Sequence, residues 1–405
     1  MAVEPLEKTV GFVVPWYGDD IAGGAERLCR EYAGRLARAG LAIEVLTTCA
    51  RDFFGNWNKN HFAPRAYDNG GIVVRRFPVR HRDRHQFDIV NFKLLNNLAV
   101  TAHEEHLFYY ESIRSEPLER FLAKEGGKYH LIFLPYCYGT TFEGLRQTGY
   151  RGFLLPCLHH ERYATLPGTR KMVESVRGLI FNSESEQRLA ASLYAIDRVP
   201  QIVLGMGVES AEPADPAAFR RRFGIKKPYL ICVGRKDVTK NTHVLVAYFG
   251  QLIDANPDLD LDLVLLGRGD VEIPGELTQR VHNVGYISEK LKQAALAGAE
   301  LLVQPSARES FSIVLFEAWL AGTPVLVNEF CAVGVEHCRR SNGGLFFRNY
   351  AEFEEIVRVL VEDKTLARQL AANGRQHALE QYGWDRLIGE FVEFIRENDP
   401  ARLPV

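Results

Sequence analysis

The chain predicts an α/β protein built as two domains. Short apolar runs that suit buried parallel strands alternate with amphipathic stretches that end at glycine. A length of 405 residues fits two domains of ordinary size. Near the middle, residues 212–218 read EPADPAA, a Pro/Ala break after which the strand and helix alternation restarts. The expected divisions are residues 1–210, 211–380 and a final helical piece, 381–405.

Composition narrows the function. At 46% hydrophobic and 25% charged residues the chain can bury full cores, and a formal net charge of −2 argues against a general nucleic-acid binder. Seven cysteines, an odd number with no C-x-x-C pair, oppose a disulfide framework and imply a reducing cytosol. The first residues, MAVEPLEKTVGFVV, carry acids where a leader would carry bases, and no apolar run reaches the ~18 residues of a membrane span. A cytoplasmic protein is expected.

In order along the chain, residues 10–15 read as a buried strand, and Gly23-Gly24-Ala25-Glu26 opens an amphipathic helix stopped by Gly40. Two glycines let backbone approach a ligand, although a plain turn would also use them. Residues 51–92 are aromatic and basic, with Arg75, Arg76, Arg80, Arg82 and Arg84 close together. They read either as a solvated loop or as a patch for anionic lipid headgroups or diphosphate, so peripheral contact with the inner face of a membrane through this segment is a further expectation. His103-Glu104-Glu105-His106 lacks the H-E-x-x-H spacing and reads as helix surface. Residues 153–155 form a strand ending in Pro156-Cys157-Leu158-His159-His160-Glu161, polar groups placed where an open α/β sheet collects ligands. Residues 178–194 read as strand, cap and helix.

The second half restarts at residues 229–235 with a strand running into Gly234-Arg235. Arg235 and Lys240 stand five apart across a strand-to-helix loop and can reach one phosphate-sized anion, although a surface basic pair is the plainer alternative. Residues 299–322, AELLVQPSARESFSIVLFEAWLAG, are the centre of the reading. An apolar strand leads to a polar loop with Glu309, Ser312 is the expected cap, Glu317 lies early in the helix, and Gly322 stops it. At about 1.5 Å of rise per residue the two carboxylates are too far apart to flank one bond, so they have separate tasks. One would face a reacting sugar, and the other would grip a hydroxyl pair such as a ribose.

The E-S-F-S-x4-E spacing resembles the E-x7-E signature of retaining nucleotide-sugar glycosyltransferases of the GT-B fold, family 4 type. The stretch from Gly234-Arg235 to Lys240-Asn241 is similar to that family's diphosphate clamp, and Gly23-Gly24-Ala25-Glu26 to its N-terminal glycine loop. The resemblance implies two Rossmann-like domains facing an interdomain cleft, with the last helix crossing back to the first domain. The donor, a nucleotide-diphosphate sugar, would lie in the C-terminal half. The acceptor, a saccharide, a lipid-linked or a small molecule, would lie in the N-terminal half. On these matches the catalytic candidates are His159, Glu309, Arg235 and Lys240, with His160 an open alternative to His159. The substrate-binding candidates are Gly23, Gly24, Gly234, Tyr286, Ser310, Phe311, Ser312, Ile313 and Glu317. Neither a metal nor another cofactor is expected. Asp258-Leu259-Asp260-Leu261-Asp262 looks like the D-x-D metal site of another glycosyltransferase fold but precedes its strand, away from ligands. The alternatives are a nucleotide-sugar 2-epimerase of the same architecture and a catalytically idle binding partner.

Overall fold

The computed structural model describes residues 4–21, 23–209 and 214–399. They fall into two compact units, the first ending at Met206 and resuming at Trp384, the second running Gly207–Gly383. Of the expected 212–218 break, residues 212 and 213 lie outside the described set. Pro216 is already helical, because Asp215 caps the helix Pro216–Phe223.

The first unit is a sheet of eight strands: β1 (Thr9–Val14), β2 (Ile43–Thr48), β3 (Ala66–Asp68), β4 (Ile72–Phe77), β5 (Tyr129–Phe133), β6 (Phe153–Leu154), β7 (Gly178–Phe181) and β8 (Gln201–Val203). Their order is β3-β4-β2-β1-β5-β6-β7-β8, and β3 alone runs antiparallel to its neighbour. β2 is buried at every position, as a strand covered on both faces must be. The final helix, Trp384–Glu397, belongs to this unit. Phe391 lies 6.4 Å from the Phe12 ring and 5.3 Å from Tyr32, Trp384 meets Tyr32 edge-on at 5.3 Å, and Phe394 meets Phe153 at 5.7 Å.

The second unit is a six-stranded parallel sheet: β9 (Tyr229–Val233), β10 (Asp262–Leu266), β11 (Val281–Gly285), β12 (Leu301–Gln304), β13 (Val325–Asn328) and β14 (Gly344–Phe347). The order β11-β10-β9-β12-β13-β14 makes β9 and β12 the neighbours at which the winding reverses. The two strands are parallel, so the loops leaving their carboxyl ends lie at one end of the sheet, the place where open α/β sheets collect ligands. Over this sheet the helix Lys364–Gln381 passes so close to Trp319 that a Cβ on Gly374 would come within 2.4 Å of the indole. Trp319 donates its Nε1–H to Gly343 O at 2.9 Å.

His337, on the helix Ala332–Ser341, is fully buried, with Phe311, Phe316 and Tyr382 edge-on to its ring. Its Nε2 lies 3.0 Å from Phe311 O, a contact that requires the proton on Nε2, and Nδ1 is buried without a hydrogen-bond partner. Burial pushes the imidazolium pKa down to about 3 from 6.5.

Two outcomes follow. Phe391→Ala removes a fully buried ring and costs the first unit ~3–5 kcal/mol, read as a lower denaturant midpoint. Between pH 6.5 and about 3 the unfolded chain protonates His337 while the folded chain does not, so stability falls with falling pH. That proton contributes up to ~1.4 kcal/mol per pH unit. His337→Gln keeps a donor for Phe311 O and removes this share of the slope; equal slopes in both proteins across pH 4–6 would refute the assignment.

Candidate functional site

In the second unit the loops that leave β9 and β12 meet through a salt bridge. Lys240 ends a short 3₁₀ turn, Val238–Lys240, whose start is capped by the Asp237 carboxylate. Its Nζ lies 2.7 Å from Glu309 Oε1 and donates to Arg308 O at 3.2 Å. Asn241, left-handed at φ 55°, donates through Nδ2 to Pro305 O at 3.1 Å, and Asn328 donates to the same carbonyl at 2.9 Å. Lys240 and Glu309, expected to serve one site, are thus brought together. Arg235 leaves the same loop, is 40% exposed, and pairs with Asp237 Oδ2 at 3.4 Å. Gly267 lets the β10 loop pass against this one, since a Cβ on Gly267 would lie 1.8 Å from Gly234 O, whereas a Cβ on Gly234 would meet open space.

The helix after β12 is Ile313–Leu320. Ser312 was expected to cap it and does not: its backbone is left-handed, φ 61° and ψ 57°, and its side chain makes no capping bond. A capping serine needs extended backbone to aim Oγ at the first N–H groups. Here Oγ is buried and has no hydrogen-bond partner, beside a helix start whose first N–H groups have no intrahelical acceptor. Ser310 and Ile313 flank this turn. Phe311 is held by its stack on Phe316, centroids 4.6 Å apart, and by His337 at its carbonyl.

Glu317 is buried in that helix, and its Oε1 accepts from Lys292 Nζ at 2.8 Å. Tyr286, just beyond β11, is 59% exposed, with the Arg268 guanidinium 5.2 Å from its ring centroid. Lys236 is buried and donates to Asn283 Oδ1; burial lowers its pKa. Lys292, Lys236, Arg268 and His337 are not among the residues expected at the site, and a lysine in E-K-L-K carries no local signal that sets it apart from ordinary helix surface.

In the first unit Gly23 precedes the helix Gly24–Arg38 with φ 152° and ψ 151°, and a Cβ there would fall 1.9 Å from Glu26 Oε2. The Glu26 carboxylate folds back over this turn and accepts from Trp16 Nε1. His159 Nδ1 lies 3.5 Å from Glu161 Oε1, which also accepts from Tyr136 OH at 2.7 Å, whereas His160 is exposed. Of the two histidines, His159 is therefore the one held in place. Glu186 is fully buried and accepts from Leu158 N and, at 2.6 Å, from Asn182 N, fixing the loop before His159; burial raises its pKa to about 8. The left-handed Cys157, φ 53°, sits at the same bend.

The arginine cluster is a correction. Arg75 pairs with Glu44 at 2.6 Å and Arg80 with Glu111 at 3.0 Å. Buried Arg76 and Arg82 donate to Tyr17 O at 2.7 Å and Glu111 O at 3.1 Å. Only Arg84 of the five is largely exposed, so the cluster braces loops instead of presenting a basic face. Among the described residues no helix is long and apolar enough to cross a membrane. Asp262, at the amino end of β10, is taken by Arg280 at 3.1 Å and His282 at 2.8 Å. Glu104 caps its own helix and pairs with Lys93.

Residues 227–363 match the family model described as glycosyl transferases group 1. D-inositol 3-phosphate glycosyltransferase 1 of Catenulispora acidiphila is 28% identical over 256 residues, which cover 58% of this chain and 60% of the relative. The match to this first relative thus spans about three fifths of its length. The D-inositol 3-phosphate glycosyltransferase of Geodermatophilus obscurus is 26% identical over 407 residues, covering 93% of this chain and 85% of its own. Among solved structures, sucrose-phosphate synthase from Thermosynechococcus elongatus superposes with a TM-score of 0.70 at 16% identity, covering 96% of this chain and 98% of that one. The Anabaena protein HepE, solved with UDP and glucose, gives 0.68 at 14% identity and 96% and 100% coverage. The chain has the GT-B glycosyltransferase fold, and within its second unit residues 227–363 are similar to the glycosyl transferases of group 1.

Proposed function

We propose that the protein is a retaining glycosyltransferase that moves a sugar from a nucleotide-diphosphate sugar to a saccharide or other hydroxyl-bearing acceptor. The observation that carries this reading is the Lys240–Glu309 pair at the β9/β12 winding reversal, its Glu309 four residues before the helix start at Ile313, where the buried Ser312 Oγ has no partner and the first N–H groups lack intrahelical acceptors. These groups suit an anion. Relatives named as glycosyltransferases support a transferase over the 2-epimerase, and the UDP held by HepE makes uridine the first base to try.

In this reading the second unit takes the donor. Lys240, Arg235 and the backbone at Ser310, Phe311, Ser312 and Ile313 meet the diphosphate, and Gly234 lets it approach the chain. Tyr286 lies at the base and Glu317 at the ribose. Lys240 and Arg235 supply the positive charge that a departing diphosphate needs, so the reaction proceeds without a metal. Glu309 faces the sugar beside its cation. The first unit takes the acceptor near Gly23 and Gly24, and His159, fixed by Glu161, contacts the transferred sugar.

The bond from the sugar's anomeric carbon to phosphate breaks, the bond to the acceptor oxygen forms on the same face, and the acceptor's proton passes to the leaving phosphate. A glycosyl–Glu309 intermediate is less favoured, because pairing with Lys240 stabilises the Glu309 carboxylate and weakens it as a nucleophile.

Thermal shift with UDP-, GDP- and ADP-sugars tests the donor: one series raises the melting temperature by mass action, and that donor with acceptor releases nucleotide and gives a product of the donor's anomeric configuration. Inverted product, or equilibration of the donor sugar without acceptor, would overturn the proposal. In steady state Arg235→Ala lowers kcat by roughly 10²–10³-fold, whereas Glu317→Gln mainly raises the donor KM. The reverse pattern would mean the two roles are misassigned.

A further inference from the structure

We propose that Lys292 is the positioning residue that fixes Glu317 for recognition of the donor's ribose, an inference that rests on the donor reading above. The Glu317 side chain is 5% exposed and that of Lys292 15%. Lys292 Nζ lies 2.8 Å from Glu317 Oε1 and 2.7 Å from Glu289 Oε1, the latter in an exposed side chain one helical turn earlier. The lysine stands on the helix Glu289–Ala297, which follows β11 and the exposed Tyr286, so it shares an element connection with the residue assigned to the base.

A carboxylate that grips a ribose diol must be ionised, so that both sugar hydroxyls donate to it, and must hold one orientation. Burial works against both requirements. It favours the neutral acid, which would present a hydroxyl where an acceptor is needed, and a buried ion without a counter-charge is costly. Lys292 answers both: its ammonium supplies the counter-charge 2.8 Å away, and by engaging Oε1 it sets the plane of the carboxylate. Glu289 holds the ammonium from the solvent side. The pair joins the helix after β11 to the helix after β12, so base and ribose contacts are set by one connection.

The test is calorimetric binding of UDP, GDP and ADP and of their 2′-deoxy counterparts to the wild type, Lys292→Met and Lys292→Arg. The wild type prefers one ribonucleotide to its deoxy form by roughly 10-fold, the scale of one charge-assisted hydrogen bond. In Lys292→Met that preference falls towards unity, and in Lys292→Arg it returns. Because the preference is a ratio within one variant, partial unfolding does not move it, and a merely structural lysine would weaken both ligands alike. A wild type that binds none of the three diphosphates removes the donor reading and this inference together. One that binds without preferring the ribose form, or a Lys292→Met protein that keeps the full preference, removes only the role given to Lys292.

Discussion

The organisation of the second unit depends on a charge pair formed between loops that the sheet order brings side by side. Lys240 and Glu309 are 69 positions apart, yet β9 and β12 are neighbours, and their loops leave from the same end of the sheet. With side chains 21% and 14% exposed, the two ions sit where water screens them only in part. Leaving either alone there would be costly, so each loop is held by the other. Asn241 and Asn328 reinforce this by donating to one carbonyl, Pro305 O. A cation so placed is rigid before any ligand arrives, and its field adds to that of the helix start at Ile313.

Second-layer contacts then decide where the reactive groups point. His337 holds the Phe311 carbonyl from inside the aromatic cluster, which supports the left-handed turn at Ser312. In the first unit Glu186 and Glu161 act on the backbone and the ring of neighbouring residues, 158 and 159. Each is an ionisable group removed from bulk water, which makes its cost conditional on the partner it finds. The two units thus use the same device, a buried polar side chain that fixes a loop.

Much of this was legible in the chain. Strands such as β1, β9 and β10 are continuous apolar runs bounded by glycine or polar residues, and that pattern survives into a parallel sheet with little ambiguity. Glu309 and Lys240 could be marked by spacing, since each lies within a strand-to-helix connection. Ser312 was misread because serine before an apolar run is the commonest cap signal, and backbone handedness leaves no trace in the residue name. The arginines between residues 75 and 84 misled for another reason. A basic run reads as surface unless its acids can be seen, and Glu44 and Glu111 lie some thirty positions away. Lys292 and His337 were invisible for the same cause: their partners, Glu317 and Phe311, are 25 and 26 positions distant.

The return of Trp384–Glu397 to the first unit also orders events at the ribosome. Phe12, Tyr32 and Phe153 are made early and find their aromatic partners only in the last helix, whereas the second unit is continuous in the chain. During synthesis, therefore, the half that emerges later can close first, and the half that emerges earlier waits with apolar surface uncovered. Sequence position and order of completion are inverted, and a stalled or truncated chain would expose its N-terminal sheet, not its C-terminal one, to chaperones and proteases.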